Sequence, residues 1–275
     1  MKSLSVDYPV WLCDIWGVVH NGITCYEAAA HALSQHRKAG GIVILVTNAP
    51  RTTNGVIHQL NDISVPPQSY DRVVTSGDVT QTLVNDHARG KVYHLGPARD
   101  LSIFEGIAVE KVVLKEAHAV LCTGLAHDDV ETPDDYTDLL SRMKALNLPM
   151  ICANPDKIVR KGNRLLYCAG ALAEKYAKLG GSVLMAGKPY EPIYDLALKK
   201  AAALAGKTIE KSKVLAIGDG PETDIRGAAD YGIAAVLIAD GVTDASDGLD
   251  ATLARVEAIV PHAKIVKILH HLVWQ

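Results

Sequence analysis

Aromatic side chains are scarce, at 5% of the chain with a single Phe. Ala, Val, Leu and Ile must therefore fill the core, a composition suited to helices alternating with buried parallel strands. Long apolar runs are missing, and none reaches the roughly 18 residues of a membrane span. No membrane partner is expected. Met1 to Trp16 holds one Lys and two Asp where a secretory signal would carry a basic start and a long apolar stretch. An excess of either charge is also missing: 28 Lys and Arg face 31 Asp and Glu, a net charge of −3. This excludes the basic footprint of a nucleic-acid binder. Cysteines are few and odd in number, Cys13, Cys25, Cys122, Cys152 and Cys168, with no C-x-x-C pair. They predict a reduced, cytoplasmic protein with mostly buried thiols. The 11 His include no H-E-x-x-H. What the chain has is apolar residue in quantity, 48% hydrophobic against 21% charged over 275 residues. That is enough for one large domain or two modest ones and too much for a disordered chain.

Short apolar runs of strand length recur at Val10–Cys13, Ile42–Val46, Arg72–Thr75, Val214–Ile217 and Ala234–Ile238. Between or after them Ala28–Ala39, Asp78–His87, Tyr190–Ala205 and Thr223–Tyr231 read as helices. The alternation predicts an α/β fold, a parallel sheet with helices on both faces. The middle of the chain repeats the pattern, with strands expected at Lys91–Leu95, Ala119–Cys122 and Met150–Ala153. Thr132-Pro133-Asp134-Asp135 sets a cap, a first-turn Pro and first-turn carboxylates, predicting a helix from there to about residue 147. Ala169–Lys178 predicts another, ended by Gly180-Gly181. Residues 89–182 are thus expected to form a second small α/β domain, inserted into a first made of 1–88 and 183–275.

In an open parallel sheet, ligands bind at the carboxyl ends of the strands. There the sequence sets Asp14-Ile15-Trp16-Gly17-Val18, Thr47-Asn48-Ala49-Pro50, Gly187-Lys188-Pro189 and Gly218-Asp219-Gly220-Pro221-Glu222-Thr223-Asp224. Each piece alone is an ordinary turn, cap or solvated side chain. Together, in this order, they form the set that phosphoryl transfer asks for. A carboxylate can attack phosphorus and carry the phosphoryl group. Mg²⁺ prefers oxygen ligands and can screen carboxylate from phosphate, with Asp14 and Asp219 as candidates to hold it. A Lys charge and a Thr hydroxyl can bind the remaining phosphate oxygens.

These segments resemble the four signatures of the haloacid dehalogenase superfamily, more narrowly its class IIA, the NagD-like or 4-nitrophenylphosphatase-like group. Ala153-Asn154-Pro155-Asp156 and Gly170-Ala171-Leu172-Ala173 resemble cap segments of that group. The resemblance implies a Rossmann-like, doubly wound parallel core with an inserted α/β cap. It implies Asp14 as nucleophile and Mg²⁺ on Asp14, Asp219 and the main-chain carbonyl of Trp16, with Asp224 supporting the metal or Lys188. It also implies phosphate binding by Thr47, Asn48 and Lys188, and cap residues such as Asn154 and Asp156 near the substrate. The expected partner is a small phosphorylated metabolite: a sugar phosphate, nucleotide, or aryl or acyl phosphate. A homodimer is a further implication.

The chain departs from the pattern at one position. The family begins D-x-D, and the second Asp protonates the leaving group; here that residue is Trp16. An indole N–H has no acid chemistry near neutral pH, and general acid–base catalysis is worth roughly 10²–10⁴-fold. His20 is a candidate substitute. The sequence therefore supports a Mg²⁺-dependent phosphohydrolase working through an aspartyl-phosphate. The alternative is a phospho-ligand-binding protein of the same fold with weak or lost catalysis.

Overall fold

The computed structural model describes residues 1–161, 164–243 and 245–275. The chain folds as two compact units. The first comprises Met1–Thr47, Ile57–Val74 and Lys188–Gln275; the second comprises Asn48–Val56 and Thr75–Gly187.

The first unit carries a six-stranded sheet in the order Ile265–Leu269, Ala234–Ile238, Val214–Gly218, Val10–Cys13, Ile42–Thr47, Arg72–Thr75. Where the strands pair register by register they run parallel. Val10–Cys13, Val214–Gly218 and Ala234–Ile238 are buried throughout, the pattern of parallel strands covered on both faces. The chain lays its first three strands to one side of the sheet and its last three to the other. The direction reverses between Val10–Cys13 and Val214–Gly218, and there the carboxyl ends leave a crevice. Asp14 and Asp219 follow those two strands.

The second unit has a five-stranded parallel sheet of its own, in the order Val183–Met185, Met150–Cys152, Ala119–Cys122, Lys91–Leu95, Glu110–Lys111. An antiparallel ribbon pairs Ile158–Lys161 with Arg164–Tyr167. The helix Ser76–His87, expected within the first domain, groups with the second unit. Its Val84 and the following Ala88 are buried among Val92, Ile103, Ala119, Leu121 and Ile151. Two further expectations shift. The helix after Thr132 does open on a Thr132–Asp135 capping box, but its first turn, Pro133–Tyr136, is 3₁₀ and the α-helix spans Thr137–Ala145. The helix expected over Thr223–Tyr231 starts at Arg226, because Pro221–Ile225 winds as a wider π-type turn. Among the described residues no helix is long and apolar enough to cross a membrane. All five cysteines are free and four are buried.

One core contact gives the first unit an acid sensitivity. The His36 ring stacks on Trp11 with centroids 3.8 Å apart and planes 4° from parallel, and Nδ1 shares a 2.7 Å hydrogen bond with Ser5 Oγ. Burial lowers its pKa to about 4. The unfolded chain takes up this proton near pH 6.5, so the stabilisation is complete above that pH and is lost progressively down to about 4. Wild type should lose about 2 kcal/mol more than His36→Phe between pH 7 and pH 5 in urea unfolding. Equal losses would show that His36 does not contribute to the acid sensitivity.

Candidate active site

Asp14 leaves the central strand with its N–H donated to the Ile217 carbonyl at 2.8 Å, so the nucleophile candidate is pinned to the neighbouring strand. Lys188 is 4% exposed, and its ammonium donates to Asp14 Oδ1, to Asp224 Oδ1 at 2.7 Å and to the Val46 carbonyl at 3.3 Å. Asp224 turns back on its own loop. Its Oδ2 accepts the Gly220 N–H at 3.1 Å, within the wide turn that the Ile225 N–H closes on the Gly220 carbonyl at 3.1 Å. Asp219 Oδ2 accepts the Val242 N–H at 2.7 Å, and its main-chain carbonyl accepts the Thr243 hydroxyl at 3.0 Å.

Asp14, Asp219 and Asp224 are all buried, and one carboxylate oxygen from each lies within 4.8 Å of the others. Burial pushes Asp14 well above the usual carboxylate range; Asp224 and Asp219 push it further and Lys188 opposes. Burial, then Asp224, raises Asp219 to about 7. Burial alone would pull Lys188 down, but Asp14 and Asp224 outweigh it and hold the ammonium protonated. Three crowded carboxylates facing one ammonium favour a further cation, and all-oxygen donors suit a hard divalent one. The donor set therefore fits Mg²⁺, with Asp14, Asp219 and Asp224 as the side chains that would hold it.

The turn after Asp14 packs directly onto this cluster. Gly17 has φ +78°, and a Cβ there would lie 2.0 Å from Asp219 Oδ2. Gly17 donates its N–H to the His20 carbonyl at 2.9 Å. Trp16 is half-buried, its ring set edge-on to His20 at 5.1 Å and against Gly22. His20 is 1% exposed, its Nδ1 accepts the Gly22 N–H at 2.9 Å, and burial lowers its pKa to about 4. A buried neutral imidazole with Nδ1 engaged holds no acidic proton at neutral pH. His20, a candidate substitute in the sequence, is thus not set up as the replacement acid.

Thr47 is buried at the end of its strand in the first unit. Asn48, Asn154 and Asp156 come together in the second. Asn48 Nδ2 donates to Asp156 Oδ1 at 2.9 Å, and Asn154 Oδ1 accepts the Asp156 N–H at 3.0 Å. Gly170 packs on this turn and donates to the Asp156 carbonyl at 3.1 Å, so the Gly170–Ala173 segment serves packing. Sequence reasoning missed the loop Gly241–Thr243. It acts through a backbone N–H and a hydroxyl, and the available signal was a Gly just beyond the strand Ala234–Ile238.

A crystal structure of a hydrolase of the haloacid dehalogenase-like family from Brucella suis 1330 is 49% identical to this chain. The match covers 87% of this chain and 92% of that one, with a TM-score of 0.84. The chain belongs to the haloacid dehalogenase-like family. It is a hydrolase of that family, and two family models agree: haloacid dehalogenase-like hydrolase over residues 11–110 and HAD-hydrolase-like over 185–265. Two more distant relatives are named as phosphatases. A 4-nitrophenylphosphatase from Thermotoga maritima is 19% identical, with 98% of this chain and 96% of that one covered and a TM-score of 0.74. A curated relative, the acid sugar phosphatase of Staphylococcus aureus strain USA300, is 25% identical over 244 residues, 87% of this chain and 90% of its own.

Proposed function

We propose that this haloacid dehalogenase-like hydrolase is a Mg²⁺-dependent phosphatase acting on a small phosphate monoester. The observation that carries the reading is the convergence of Asp14, Asp219 and Asp224 around the Lys188 ammonium. In this reading an Asp14 oxygen attacks phosphorus, a new O–P bond forms, and the ester bond breaks with its electron pair on the leaving oxygen. Water then cleaves the aspartyl-phosphate to phosphate and regenerates Asp14. Lys188 keeps a positive charge beside the nucleophile, and Thr47 and Asn48 serve as phosphate ligands. Bound Mg²⁺ would supply charge neutralisation between carboxylate and phosphate. The second unit is assigned the choice of substrate, with Asn154 and Asp156 among its candidate contacts. The names of the relatives, a sugar phosphatase and a nitrophenylphosphatase, support small esters as the class. Buried unpaired thiols support a reducing compartment such as the cytoplasm. Trp16 alone favours the second reading, a phospho-ligand binder with weak catalysis, because it leaves no proton donor two residues after the nucleophile.

The test is phosphate release from a panel of sugar, nucleotide, aryl and acyl phosphates with Mg²⁺, with and without chelator. At least one ester should turn over, and chelator should remove nearly all of that rate. Hydrolysis undiminished in excess chelator would end the metal-dependent reading. Phosphate-analogue binding without any turnover would favour the binder.

A further inference from the structure

Two side chains in the turn beyond Asp14 have no part in the chemistry above: the buried imidazole of His20 and the half-buried indole of Trp16. Their arrangement is over-determined. His20 accepts the Gly17 N–H with its carbonyl and the Gly22 N–H with Nδ1, both at 2.9 Å. The second bond holds Gly22 beneath the indole, at φ +86°, where a Cβ would sit 2.3 Å from Trp16 Cη2. The His20 ring meets the same indole edge-on, at 73° between planes. The first bond presents Gly17 to Asp219, so the main chain on either side of Trp16 is tied to Asp14 and to Asp219. The indole is thus seated by its neighbours, while the residue as a whole stays only partly buried.

We propose that Trp16, seated by His20 and Gly22, is the specificity-determining residue of the Asp14 site, offering its ring to a planar, unsaturated leaving group such as that of an aryl phosphate. His20 is the positioning residue that keeps the ring there. The proposal rests on the phosphatase reading and sharpens its substrate class. It also accounts for the missing proton donor. An aryloxide departs as a stable anion, so the electron pair of the breaking P–O bond stays on the leaving oxygen and no proton is required in that step. An aliphatic alkoxide has neither advantage. Offset stacking of ring on ring is worth about a tenfold preference.

The experiment compares 4-nitrophenyl phosphate with acetyl phosphate, two substrates whose leaving groups both depart unprotonated and only one of which carries a ring. The readout is the ratio of their kcat/KM values. Trp16→Leu should lower the aryl-to-acyl ratio about tenfold, through KM for the aryl ester. His20→Ala should lower it in the same direction. His20→Asn, which retains an acceptor for the Gly22 N–H, should recover most of the ratio. Damage to folding or to the carboxylate cluster reduces both substrates together, so an unchanged ratio in Trp16→Leu overturns the proposal. A second arm needs no turnover. In a protein whose only tryptophan is Trp16 (Trp11→Phe, Trp274→Phe), 4-nitrobenzylphosphonate should quench the emission saturably and methylphosphonate should not. If neither substrate is hydrolysed, the phosphatase reading fails and this arm decides the stacking; emission indifferent to the nitrobenzyl compound overturns it.

Discussion

Asp14→Asn should reduce turnover by at least roughly 10⁴-fold while leaving the protein folded and able to bind a phosphate analogue. The amide keeps the shape of the carboxylate but cannot attack phosphorus. The substitution also removes one negative charge from a buried cluster of three carboxylates, in which burial and repulsion from Asp224 push the pKa values of Asp14 and Asp219 up. Metal-free Asp14→Asn should therefore be no less stable than wild type in thermal unfolding, with Lys188 retaining its 2.7 Å bond to Asp224. The two measurements separate chemistry from structure. Wild-type turnover in Asp14→Asn would exclude it as the covalent residue, and a collapse in stability would mean that the lost rate says nothing about the nucleophile.

Lys188→Met should have the largest effect on stability. The side chain is buried and pairs with two buried carboxylates, so its removal leaves negative charge without its internal counterion. Breaking a buried pair by removing one partner costs about 3–5 kcal/mol. The loss should be greatest without divalent metal and should shrink when Mg²⁺ is added, because a bound cation would replace part of the missing charge. Urea unfolding of both proteins with and without Mg²⁺ reads this directly. A variant as stable as wild type, or one that Mg²⁺ does not help, would contradict the electrostatic account of the cluster.

Much of this site was legible in the sequence for a physical reason. Strands buried on both faces appear as unbroken apolar runs, so their carboxyl ends can be found by eye, and the residues that follow are the candidates. Asp14, Lys188, Asp219 and Asp224 were found that way, and the structure gathers them. Interactions carried by the main chain left no such trace. The Gly241–Thr243 loop contributes an N–H to Asp219 and the His20 carbonyl fixes Gly17, and neither role depends on a recognisable side chain. His20 drew attention as a proton carrier because titration near neutrality is its usual distinction; burial removes that property and leaves a hydrogen-bond acceptor. The ribbon Ile158–Lys161 with Arg164–Tyr167 also went unread, since charged residues interrupt its short apolar stretch. The helix Ser76–His87 was read as a helix but grouped with the first domain, because periodicity reveals which face of a helix is apolar but not which sheet will cover it.

The strand that carries Asp14 lies between two parallel partners, with Val214–Gly218 on one side and Ile42–Thr47 on the other. Two ladders must come apart before it can move, so fraying of an edge or a loop does not reach it. Amide protons of Val10–Cys13 should then be among the slowest in the chain to exchange with solvent. During heating or denaturant treatment, Asp14 should stay held in place until the first unit's secondary structure is lost. A nucleophile hung from the innermost strand has no loosened interval of its own: until that unit opens as a whole, Asp14 stays where the native sheet holds it.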